Sequence, residues 1–173
     1  MRKRIITQAP PSNPETGRDW LALEQVASVE VTSEAEGYPI EGALSGDGQR
    51  GWRAGAADTQ TIRLVFDRSQ TIRVIRLVFK EEEFPRTQEF VLRWLPAGAG
   101  SWKDVVRQQW NFSPPDNAQE CEEYKVELES ALALELTINP DISRHGTRAP
   151  AWPPRERHAD RPHGSAWSAR SPS

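Results

Sequence analysis

The residues able to do covalent chemistry are few in this 173-residue chain, and they are badly placed for it. All three histidines, His145, His158 and His163, lie beyond residue 142, so a Ser-His-Asp or Cys-His arrangement would have to borrow its base from the end of the chain. Cys121 is the single cysteine, which excludes an intrachain disulfide and a Cys-rich metal site. Its neighbours Glu120, Glu122 and Glu123 oppose thiolate formation and make it a poor nucleophile. Glu81-Glu82-Glu83 are adjacent carboxylates that read as a solvated turn, not as an acid and a base set across a cleft. The glycines between 42 and 55 fit neither nucleotide-binding fingerprint. These features argue against an enzyme and leave a hydrolase as a distant alternative.

Recognition without catalysis is better supplied. A sugar site joins an aromatic face, which stacks on a pyranose ring, to Arg, Asn, Gln or acidic groups that bond the hydroxyls. The candidates in irregular segments are Trp52, Arg53, Arg86, Trp110 and Asn111. Each tryptophan also has a packing reading, as do Trp94 and Trp102. Arg86 has a second reading as the ion-pair partner of Glu81–Glu83, and Trp20 and Tyr38 receive no assignment. The expected partner is a glycan, with a protein-interaction or assembly module as the alternative.

The elements that must carry these side chains are strands. Ile62, Leu64 and Phe66 share one parity, followed by a polar turn at 67–70. Ile72 and Val74 then share a parity that Ile75, Leu77 and Phe79 reverse, and such a slip predicts a bulge near Val74. Phe90, Leu92 and Trp94 form the next inward set, and residues 96–100 a hairpin turn. Residues 105–110 form a weaker run. Tyr124, Val126 and Leu128, then Leu132, Leu134, Leu136 and Ile138, alternate again, which outweighs the helix-forming composition of 119–129. A short run at 26–32 precedes the long Gly-rich loop 33–58. Short strands without a convincing helix predict an all-β antiparallel sandwich or barrel.

Charge and composition set the domain limits. Residues 1–143 hold 16 basic against 23 acidic side chains, whereas 144–173 hold 6 against 2. The acidic body argues against nucleic acid as a partner. Residues 1–18 are a Pro-rich flexible arm, 19–142 the sandwich, and 143–173 a basic tail without Val, Ile, Leu, Met, Phe or Tyr, expected to be disordered. Arg/Pro/Ala/Ser-rich text is also what a shifted reading frame in GC-rich coding sequence produces. No apolar run reaches the roughly 20 residues of a membrane span, and the first residues carry no secretory signal, so a cytoplasmic protein is expected.

The ordered blocks Ala27-Ser28, Ala43-Leu44-Ser45-Gly46, Gly51-Trp52-Arg53-Ala54, Gln60 to Asp67, Ile72 to Leu77 and Phe90 to Trp94 resemble the discoidin, or coagulation factor 5/8 type C, domains over roughly residues 20 to 140. The resemblance implies the galactose-binding-like jelly-roll sandwich, whose members bind glycans, phospholipid headgroups or proteins through loops at one end. Members often hold a structural calcium in a loop patterned Asp-Gly followed by Thr-x-Trp. Here Ser45 stands where the Asp is expected and Gly51 directly precedes Trp52, which leaves Asp47 as the substitute. No cofactor is therefore expected, with calcium the one candidate. The family's closing strand should follow Asp141, where this chain has its apolar-free tail. An edge left unpaired there would invite self-association.

Overall fold

The computed structural model describes residues 20–45, 51–142 and 165–170. In chain order the elements are α1 (Leu23–Val26), β1 (Ala27–Val31), α2 (Glu41–Leu44), β2 (Gln60–Lys80), β3 (Arg86–Pro96), β4 (Lys103–Phe112), β5 (Gln119–Asn139) and β6 (Ser165–Arg170). The helices are single turns, and no helix among the described residues is long and apolar enough to cross a membrane. Antiparallel pairing runs in the order β1-β2-β5-β3-β4, with β6 on the free side of β2.

The two 21-residue strands make the sandwich. The first half of β2 and the second half of β5 pair with each other and with β1 and β3. Their other halves pair with each other and with β6. Between them the register shifts three times, between Val65 and Val74, and Ser130 takes a φ of 56°. This ribbon therefore folds over from one layer to the other, as strands do at a sandwich corner. The layers meet face to face where the Phe79 ring of β2 lies 5.1 Å from the Phe90 ring of β3. Ile62, Leu64, Phe66, Ile75, Leu77, Phe79, Leu92 and Leu136 fill the space between them.

The phase slip near Val74 is a register shift between Ile72 and Val74, and 119–129 is strand. The polar segment 67–70 is the corner of a continuous strand, and the corner turns Leu132 outward, away from Leu134 and Leu136. Trp94 is only partly buried against the core.

The tail differs more. Residues 165–170 form β6, in register with Val74–Phe79. Their text, Ser-Ala-Trp-Ser-Ala-Arg, carries one large apolar residue and no alternation, so the strand has no side-chain signature in the sequence. Main-chain hydrogen bonding to an edge can form it regardless. The edge expected to be open is thus paired, which removes the ground for self-association there. The rest of the tail, the arm 1–18 and Asp47 lie outside the described residues.

Candidate functional site

The segments 33–45 and 51–59 and the loops 81–85 and 113–118 lie at one end of the sandwich. They adjoin the start of β2, the starts of β3 and β5, and the ends of β1, β2 and β4. Gln60 opposite Ile138, Ile138 opposite Phe90, and the hydrogen bond from Glu81 N to Ala118 O (2.7 Å) hold these termini together.

Ser33 ties the segment 33–45 to the segment 51–60. Its hydroxyl donates to Gln60 Oε1 (2.6 Å) and accepts from the amides of Gly55 (3.0 Å) and Ala56 (3.2 Å). The Ser33 carbonyl accepts from Trp52 Nε1 (3.1 Å). Gln60, itself buried, donates to the carbonyls of Asp58 (2.7 Å) and Ala56 (3.3 Å). A buried polar group is tolerated when it is this fully bonded. Gly55 is required where it stands, because a Cβ would come within 2.4 Å of the Glu34 carbonyl oxygen.

This scaffold fixes the Tyr38–Arg53 pair. Arg53 N donates to Tyr38 O (3.3 Å), and Ala35 N donates to Arg53 O (2.8 Å). The Arg53 guanidinium lies over the Tyr38 ring, 4.2 Å from its centroid, a cation–π contact. Tyr38 is 37% exposed, so the pair offers solvent an aromatic surface, a phenol and a cation together. Sequence reasoning singled out Arg53 and missed Tyr38. The signal was an aromatic residue between Gly37, at a φ of 80°, and Pro39, in a segment with no strand alternation to draw it inward.

The other expected site residues separate. Trp52 is fully enclosed and its indole N–H is already bonded. Trp110 packs against both Phe79 and Phe90, with ring centroids 6.4 and 6.0 Å away. Arg86 is buried in an ion pair of 2.6 Å with Glu81, which is 1% exposed. Glu81 Oε1 also accepts from the amides of Glu83 (2.9 Å) and Phe84 (3.2 Å), so this pair shapes the turn before β3. Neither tryptophan nor Arg86 presents its polar or aromatic surface to a ligand. Asn111 is exposed: its side-chain oxygen accepts from Thr87 Oγ1 (2.7 Å), and its carbonyl accepts from Asn117 Nδ2 (2.6 Å). The same end also exposes Phe84, at 46%.

Away from this end, Tyr124 and Arg63 have shifted titration. Burial, more than the nearby Glu122 and Glu120, pushes the Tyr124 phenol up to about 12, and the phenol donates to Gln108 Oε1 (2.7 Å). The hydrogen bond to Glu135 raises the Arg63 guanidinium above its usual value against the opposing effect of burial, and Glu30 adds to the rise. Among the described residues no three His, Cys, Asp or Glu side chains gather as a metal site.

No family model and no curated protein sequence matches the chain. Solved structures do. A family 32 carbohydrate-binding module of NanJ from Clostridium perfringens, in complex with galactose, is similar with a TM-score of 0.55 at 10% identity, over 87% of this chain and 97% of that one. CBM32-3 from a family 31 glycoside hydrolase of the same organism gives 0.54 at 15%, over 88% and 95%. A Ruminococcus gnavus GH29 fucosidase gives 0.54 at 14%, but this chain spans only 27% of its length. At such identities the likeness carries the fold: an antiparallel galactose-binding-like β-sandwich.

Proposed function

We propose that this chain is a non-catalytic carbohydrate-binding module of the discoidin type, holding its sugar at the loop end of the sandwich. The observation that carries the reading is the exposed Tyr38 ring with the Arg53 guanidinium 4.2 Å above it. The guanidinium covers one face of the ring, so a pyranose stacks on the other or against the ring edge, with the guanidinium beside it to donate to hydroxyls. Phe84 and Asn111 stand at the same end and can extend the contact. Support for the sugar class comes from the fold shared with the galactose-bound NanJ module. The body's missing histidines support the non-catalytic part.

A monosaccharide offers few atoms to hold, so its binding is weak. About −0.3 kcal/mol per heavy atom over roughly a dozen atoms gives about −4 kcal/mol, a dissociation constant on the order of a millimolar. Calorimetric titration of the folded chain with galactose tests the reading. Binding in this range supports it, and a flat titration at saturating sugar counts against it. Self-association through the edge of β2 at Val74–Phe79 is not available to the alternative assembly reading, because β6 pairs there.

A further inference from the structure

The outer face of the five-strand layer carries a row of alternating charge that spans every strand. Glu30 of β1 stands opposite Arg63 of β2, Arg63 opposite Glu135 of β5, Glu135 opposite Arg93 of β3, and Arg93 opposite Asp104 of β4. Glu135 is only 4% exposed although it points away from the core. Arg63 bonds it through Nη2 (2.7 Å) and Nε (3.1 Å), and Arg93 through Nη2 (2.5 Å). Arg63 also reaches Glu30 (2.8 Å). The buried carboxylate holds the two guanidiniums flat across the sheet.

Two clefts lie along this row and share Arg93. One, of about 380 Å³, includes Thr32, Thr61, Arg63 and Glu135. The other, of about 320 Å³, includes Thr59, Asp104, Arg107, Thr137 and Asn139. With strands about 4.8 Å apart, the row extends about 19 Å, room for several sugar rings. Trp102 borders it, its ring 5.5 Å from the Arg63 guanidinium. Thr59 and Asn139 sit where the face meets the loop end, next to the Gln60–Ser33 bond that anchors the Tyr38 loop.

We propose that this face is a second subsite, on which a neutral, hydroxyl-rich glycan chain anchored at the loop end continues across the strands. The inference rests on the carbohydrate-binding reading above. Charge sets the ligand class. Counted once each, Glu30, Glu89, Asp104 and Glu135 stand against Arg63, Arg93 and Arg107 across the two clefts, four acidic to three basic groups and a net charge of −1. A net charge of only −1 over this area gives a polyanion no long-range attraction and a polycation little. The face offers closely spaced donors and acceptors instead, which suits vicinal hydroxyls.

The test is calorimetric titration of the full chain with galactose and with β-1,4-galactan oligosaccharides from disaccharide to hexasaccharide, alongside polygalacturonate fragments of matched length. The expected result is an affinity that rises at least about tenfold from monosaccharide to hexasaccharide, as one or two net hydrogen bonds would give. Asp104→Ala and Arg107→Ala, both at exposed positions, should abolish that rise and leave galactose binding unchanged. Galactose binding with no dependence on chain length, or a rise that survives both substitutions, overturns the second subsite and leaves the loop site standing. A larger rise for polygalacturonate than for galactan overturns the neutral-chain assignment. No binding of any of these sugars overturns both sites.

Discussion

Replacing Arg86 with methionine separates a structural ion pair from a ligand contact. Its guanidinium lies 2.6 Å from Glu81 Oε2, with side-chain exposures of 8% and 1%. Methionine keeps most of the aliphatic volume and removes the charge, which strands the Glu81 carboxylate. Breaking a buried pair from one side costs about 3–5 kcal/mol. The lower end applies here, because Glu81 Oε1 keeps the amide hydrogens of Glu83 and Phe84 as donors. A loss of about 3 kcal/mol in a chain of this size lowers the unfolding midpoint by roughly 6–12 °C. The double variant Glu81→Gln/Arg86→Met should recover at least half of that loss, since the isosteric amide carries no unpaired charge. Thermal unfolding followed by tryptophan fluorescence measures the stability, and galactose titration below the midpoint measures the site. An Arg86→Met chain that unfolds at the parental temperature but no longer binds sugar would refute the reasoning and return Arg86 to the ligand.

Two further outcomes follow from the same geometry. Gly55→Ala drives a Cβ to within 2.4 Å of the Glu34 carbonyl and should cost about 1–3 kcal/mol in urea unfolding while displacing the loop that holds Arg53. A free phenol titrates near 10, whereas Tyr124 in the fold is pushed up to about 12. Its folded value is the raised one, so this contribution to stability is constant below about pH 10 and is lost as pH rises through the window to about 12. Unfolding of Tyr124→Phe should fall less steeply with pH across that window than unfolding of the parent, and equal slopes would contradict the assignment.

The β-ladder was legible in the sequence because its cause is local. Alternation marks an inward face at Ile62, Leu64 and Phe66, and a reversed parity marks the bulge before Ile75 without any knowledge of partners. What alternation leaves open is pairing. Arg63, Arg93 and Glu135 alternate with apolar residues along their strands, but only the register sets them side by side. Residues that suit two environments stayed ambiguous for the same reason. Trp52 and Trp110 could stack on a sugar or fill a core, and contacts from distant segments, Ser33 for one and Phe79 for the other, decide. Strand β6 shows the limit most clearly: main-chain pairing on a prepared edge leaves no trace in side-chain pattern.

The central claim is that the Tyr38–Arg53 surface binds carbohydrate. The most direct measurement is a glycan array probed with the folded chain, repeated with Tyr38→Ala and Arg53→Ala. The account predicts a defined glycan signal in the parent chain. Loss of the stacking face or of its cation should weaken that signal by about tenfold or more, with the unfolding midpoint of Tyr38→Ala held within a few degrees. A folded parent that binds nothing on the array, or a signal that survives both substitutions, would contradict it.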